Sequence, residues 1–198
     1  MEARPGRLGR LAGLAFALAP TASFASDLQL PNPVIPGQRN LFSEIRVGAS
    51  AQGVNGRESG TASLAGEILF AKSFTAADLF TSYFVPRPHV GASVNTAGAT
   101  SFAYAGLTWS VDLTSWLFVE GGIGGAVHNG NTNPNLAQVP TDRAALGCSP
   151  LFRESGSVGV RLSTNWSFVA TLEHLTNGGL CDQNRGLTNV GARLGYTF

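Results

Sequence analysis

From about residue 42 onward, apolar side chains alternate with glycine or polar ones in segments of roughly ten residues. A period of two gives a strand with two unlike faces. The pattern predicts about eight strands, at 42–52, 60–71, 79–93, 100–111, 116–128, 151–162, 166–177 and 186–198. The third is the least regular, because Pro86 and Pro88 interrupt it. In the last segment Val190, Ala192, Leu194, Tyr196 and Phe198 share one face, and Asn189, Gly191, Arg193 and Gly195 the other. In the first, Ile45, Val47 and Ala49 oppose Glu44, Arg46 and Gly48. In the fifth, Leu117, Val119, Ile123 and Val127 oppose Trp116, Phe118, Glu120 and His128.

The charges decide which face is inside. Glu44, Arg46, Glu120, Arg161, Glu173 and Arg193 each share a face with glycine or other small polar residues. In the core of a soluble β-sandwich they would be unsatisfied. In a narrow barrel with an apolar outer wall they can pair with one another. The expectation is an all-β fold, an eight-stranded antiparallel transmembrane β-barrel of the outer membrane over 42–198. Its interior would be filled by side chains and would not form an open channel.

The connections agree with that topology. Those at 72–78, 112–115 and 163–165 are short to moderate. Those at 53–59, 94–99, 129–150 and 178–185 form the other set, one of them long. Bacterial barrels keep short turns in the periplasm and longer loops outside.

The N-terminal region changes the picture by adding export. Arg4, Arg7 and Arg10 precede an apolar run, Leu11 to Ala19, which is too short to span a bilayer. Ser23-Phe24-Ala25 presents small residues where a signal peptidase reads, so residues 1–25 are expected to be a signal peptide. Residues 26–41, with Pro31, Pro33, Pro36 and Gly37, read as a periplasmic lead-in. Removing 1–25 takes away three arginines and one glutamate, leaving a nearly neutral chain with no basic footprint for a nucleic acid. The strand ending in Tyr196 and Phe198 resembles the C-terminal aromatic signature that the barrel-assembly machinery recognises. Cys148 falls in the long outer loop and Cys181 in the last one, on the same side of the membrane. A disulfide between them suits an oxidising compartment.

One wall segment carries candidate chemistry. His174 and Thr176, two apart, point the same way, with Trp166, Phe168, Ala170 and Leu172. Both therefore face lipid near the outer end of the strand, where an ionisable residue is a functional candidate by default. The stretch from His174 to Phe198, HLTNGGLCDQNRGLTNVGARLGYTF, resembles the C-terminal part of PagL-type lipid A 3-O-deacylases. Their pattern is His-x-Ser-Asn, then Asn-x-Gly, then a final strand ending in an aromatic. The resemblance implies an eight-stranded outer-membrane esterase that removes an acyl chain from lipid A in lipopolysaccharide.

Carried over by position, the resemblance makes His174 the general base and Thr176 the nucleophile. Asn184 becomes an oxyanion residue, and Asn177 a supporting one. It implies no metal or cofactor. Two positions depart from the family: threonine stands for the nucleophilic serine, and Thr188 for the acidic member. A tight turn at 163–165 would set Glu154 opposite His174, so Glu154 is expected to orient the histidine in place of the missing acid. The alternative is a catalytically inactive barrel of the same family with a structural or surface role. Among the other polar residues, Glu173 is expected to pair with Arg161 or Arg193 in the lumen. His128 is expected to lie in the lumen or at the rim, and His89 at the rim or in a loop. No cluster has metal-ligand spacing.

Overall fold

A computed structural model of the chain describes residues 41–54, 56–74 and 76–198. The expected signal peptide, 1–25, and nearly all of the expected lead-in, 26–41, lie outside these residues. Eight antiparallel strands close into a barrel, each paired with its sequence neighbours and β1 with β8. They are β1 (Phe42–Gln52), β2 (Thr61–Phe70), β3 (Arg87–Asn95), β4 (Phe102–Asp112), β5 (Leu117–His128), β6 (Leu151–Arg161), β7 (Trp166–Thr176) and β8 (Leu187–Thr197). None of the described helices is long and apolar enough to cross a membrane.

The third predicted strand needs correction. Residues 79–84 form a short helix, α1 (Leu79–Phe84), and β3 begins only at Arg87. Asp78 caps the helix, accepting from the Thr81 backbone N–H at 2.8 Å, and this bond holds its carboxyl below the usual range. Pro86, just beyond, cannot continue a helix. Trp116 also departs from expectation. It stands exposed in the turn before β5 instead of sharing the inner face of Phe118 and Glu120.

The two faces are as the alternation predicts. Ile45, Val47, Leu64, Val94, Ile123, Val158, Leu172, Val190 and Leu194 are exposed on the outside. Inside, the charges form two closed rings. Near the end with the short turns, Arg46 bridges Glu44 (2.7 Å) and Glu120 (2.5 Å), and Arg87 bridges the same two carboxylates (2.9 and 2.7 Å). Further along, Arg193 and Arg153 alternate with Glu67 and Glu173, at 2.9 Å for Arg193–Glu67 and 2.8 Å for Arg153–Glu173. Each ring balances two cations with two anions. Desolvation nearly cancels the attraction in such pairs, so their main energetic consequence is the cost of losing one member, about 3–5 kcal/mol.

Height along the barrel, which parity does not reveal, explains two differences. Glu173 pairs with Arg193 as expected but not with Arg161. Arg161 lies opposite Ser167, six residues along the hairpin from the Ser155–Glu173 pair and roughly 20 Å away. It pairs instead with Asp112 at the rim. His89 is not a rim or loop residue. Because β3 starts at Arg87, His89 points into the barrel and is buried, with Nδ1 2.9 Å from the Thr108 hydroxyl.

The outer mouth is closed by its own loops. Ala144, Leu146 and Leu151 pack inward on Phe102, Tyr104, Ala126, Leu175 and Leu187. Glu58, wholly buried, accepts from Gln52, the Thr100 hydroxyl and backbone, and the Ala144 N–H, joining three loops. His128 lies at the rim and holds the long loop, with Nε2 2.8 Å from the Cys148 carbonyl.

Candidate active site

The site is built on the outer face of β6, β7 and β8, where they enter the loops. One register row runs Glu154–His174–Thr188 across the three strands. The inward neighbours on β7, Glu173 and Leu175, are buried in the upper ion ring and in the apolar cluster under the mouth. Those two side chains fix the strand, and the fixed strand sets the half-buried His174 on the outer wall.

Both neighbours of His174 in that row can reach it, but only one bonds to it. His174 Nδ1 is 2.8 Å from the Thr188 hydroxyl on β8. Glu154 lies opposite His174, as the hairpin predicts, and is exposed. Among the described residues it has no hydrogen bond to the imidazole. The expected Glu154–His174 contact is therefore replaced by one to Thr188. The Thr188 hydroxyl can accept from Nδ1–H or donate to Nδ1; in the first arrangement Nε2 carries the lone pair, which is the tautomer a base requires.

The loop after β7 supplies the rest. The Thr176 hydroxyl donates to Asn184 Oδ1 at 2.9 Å and accepts from the Gly178 N–H at 3.1 Å. Asn184 Oδ1 also accepts from the Asn177 N–H at 3.1 Å. These two bonds fix the Asn184 amide by its oxygen and leave its Nδ2 donors for another acceptor. Asn177 is buried and works behind the site, donating to the carbonyls of Leu146 and Gln183. Thr176 and His174 are not hydrogen-bonded to each other.

Two glycines make this geometry possible. Gly186 has a φ of 60°, and a Cβ there would lie 2.7 Å from His174 Cε1 and 3.0 Å from Nε2. The backbone thus passes directly over the imidazole, and no other residue fits without moving the base. Gly186 is the glycine of the Asn-x-Gly pattern, but the sequence alone gives it no role. At Gly147, φ is 82° and a Cβ would strike the Gln183 carbonyl, so the long loop and the β7–β8 loop touch by backbone. The same loops are joined by the Cys148–Cys181 disulfide, with Cα atoms 6.1 Å apart, and by Arg185 N–H donating to Ala145 O.

The arrangement holds a hydroxyl, an imidazole with an oriented ring, and amide donors on a lipid-facing surface. These are the parts of an acyl-transfer site. No described group of His, Cys, Asp or Glu could hold a metal ion. A cavity of about 770 Å³ opens among the outer loops near Asn129, Asn131 and Arg143, but His174 and Thr176 do not line it. A site for a membrane lipid needs no such cavity, because its substrate lies against the wall.

Comparison with solved structures gives the same architecture. The chain superposes on the crystal structure of the outer membrane enzyme PagL with a TM-score of 0.62 at 16% identity, covering 79% of this chain and 100% of that one. A de novo designed transmembrane β-barrel follows, with a TM-score of 0.51 at 14% identity, covering 81% and 98%. No curated protein sequence matches this chain significantly. The profile of the lipid A 3-O-deacylase (PagL) family matches residues 86–197, more than half of the chain and all of β6, β7 and β8. The chain belongs to the PagL family of outer-membrane β-barrels.

Proposed function

We propose that this protein is an esterase that hydrolyses an acyl ester of lipid A in the outer leaflet, the ester at the 3-position by family analogy. The observation that carries the reading is the His174–Thr188 bond, which holds the imidazole on the lipid-facing wall near Thr176; with Nδ1–H as its donor, Nε2 is the base. Lipid A reaches the site sideways along the barrel. The Thr176 hydroxyl leaves Asn184 and turns to His174. Its oxygen attacks the ester carbonyl carbon while its proton passes to Nε2. Asn184 Nδ2 and nearby backbone N–H groups steady the oxyanion. Collapse breaks the ester C–O bond, and the sugar hydroxyl leaves with the proton from His174. Water then attacks the acyl-threonine, giving its proton to His174, and the fatty acid departs as Thr176 is re-protonated.

In this reading Thr188 does the orienting and Glu154 is a rim charge among lipid headgroups. A hydroxyl fixes the tautomer but carries no charge to stabilise the imidazolium, and the Thr176 methyl restricts χ1. The enzyme is accordingly expected to be slower than one with serine and a carboxylate. Signal-peptide cleavage after Ala25 and recognition of Tyr196 and Phe198 by the assembly machinery belong to the same reading.

A second reading has a specific observation in its favour. The Thr176 hydroxyl donates to Asn184, not to His174. A barrel that has lost catalysis and kept a structural or surface role would carry such a contact. Expression in a Gram-negative host, with mass spectrometry of its lipid A, separates the two. The esterase removes one acyl chain, and His174→Ala stops it. An inert parent that gains activity as Thr176→Ser marks a site that has decayed.

A further inference from the structure

The connection between β2 and β3 carries more apolar surface than a turn requires. Phe74, Leu79, Phe80 and Phe84 are exposed, Phe80 to 71% and Phe84 to 65%. A contiguous exposed patch of this kind marks an interaction surface. The segment is also well fastened. Asp78 caps α1 through both the N–H and the hydroxyl of Thr81. Lys72 Nζ donates to the Ser82 carbonyl at 2.5 Å and its hydroxyl at 2.8 Å, closing the other side. Thr81 and Ser82 of the helix are thus occupied by its own flanks. Phe80 and Phe84, one turn apart, stack edge to face with centroids 5.2 Å apart, as a single aromatic surface.

The attachment point tells where that surface faces. Trp109 donates from its indole N–H to the Phe84 carbonyl at 3.2 Å. Trp109 has the outward parity of Leu107 and Val111 on β4, both exposed on the apolar wall. The helix is therefore tied to the outside of the barrel, not folded across its mouth. It lies at the short-turn end, where other exposed apolar residues ring the barrel: Phe42, Leu113, Trp116, Leu162, Trp166 and Phe198. Such a belt is characteristic of a membrane–water boundary.

The geometry points to α1 as an in-plane lipid anchor. Its Phe80–Phe84 face inserts into the leaflet at the short-turn end, which in the usual orientation is the phospholipid inner leaflet. The occupant is a lipid surface because the helix continues a wall that already faces lipid. In the ring of strands, β3 lies opposite β7. The anchor thus fixes depth on the side away from His174, independently of whether the site is catalytic.

Spin labelling of the full chain in phosphatidylcholine–phosphatidylglycerol vesicles tests this. Nitroxides are placed at Phe80→Cys and, separately, Phe84→Cys, with the native disulfide intact and folding scored by heat-modifiable gel mobility. Val158→Cys on the wall and Thr141→Cys in the outer loop are references. The expected oxygen-to-nickel collision ratio at 80 and 84 is severalfold above that at 141 and close to that at 158. Values matching 141 overturn the proposal. Protection from both reagents also overturns it, since that signals a protein contact. If one variant does not fold, the other carries the test.

Discussion

Glu173 and His174 are adjacent on β7, yet one belongs to a saturated polar network and the other to an unsaturated one. Glu173 points inward and meets Arg153, Arg193 and Asn189. His174 points outward and bonds to Thr188 through Nδ1, and its Nε2 has no hydrogen-bond partner among the described residues. The same contrast recurs on β8, where Asn189 is buried on Glu173 and Thr188 faces out. Alternation lets one pair of strands serve both purposes. Inward polar groups close rings in which every charge has a partner. Outward ones leave a base and an amide uncommitted, as chemistry requires. The inner set should therefore govern stability and the outer set activity.

The largest effects come from exchanging the two kinds of loss. His174→Ala should lower deacylation by about 10²-fold or more, the usual scale of a lost general base, and leave the unfolding temperature in detergent unchanged. Arg153→Met should do the reverse. It leaves Glu67 and Glu173 with Arg193 and the longer Arg46–Glu67 contact, and should cost about 3–5 kcal/mol, read as earlier loss of heat-modifiable mobility. A destabilised His174→Ala, or an Arg153→Met variant of full stability, would break the division between inside and outside.

Thr188 sharpens the comparison further, because in the proposed site it is an outward residue with an inward-style task. It positions His174 through a neutral bond. A charge-assisted bond is roughly twice as strong, so Thr188→Glu should raise the deacylation rate about tenfold, or about 1.4 kcal/mol of barrier. Thr188→Val should reduce it, since the Nδ1 partner is lost at nearly constant volume. No response to either change would remove Thr188 from the positioning role.

The contrast also shows what the chain makes legible. Parity along a strand was enough to sort Glu44, Arg46, Glu120 and Arg193 from Val47, Ile123 and Val190, because one residue's shift reverses a face. Parity is silent about height. Arg161 and Glu173 share a face without meeting, and Arg153, which does meet Glu173, was not singled out. The helix at 79–84 had a signal in Asp78 with Thr81, but Leu79 and Phe80 preceding Pro86 and Pro88 also read as a broken strand. His174 and Thr176 were legible as an i, i+2 pair. Gly186 was legible as the glycine of Asn-x-Gly, but its task was not, because it arises from backbone crossing an imidazole from another strand.

The smallest expected effect concerns Glu154, the partner the sequence pointed to and the structure replaces with Thr188. The row Glu154–His174–Thr188 is flat, and an antiparallel register brings both neighbours within range. The imidazole ring can turn Nδ1 toward only one of them, and it turns toward Thr188. Glu154 is exposed, so its charge is screened by water and headgroups, and any pull on the imidazolium is modest. Glu154→Gln keeps the shape and removes the charge. The deacylation rate should then stay within about twofold of the parent, consistent with a surface electrostatic contribution below about 0.5 kcal/mol. A loss above tenfold would mean that His174 swings to Glu154 once lipid A displaces the rim water. The base would then be oriented by a carboxylate after all, supplied from β6 instead of β8.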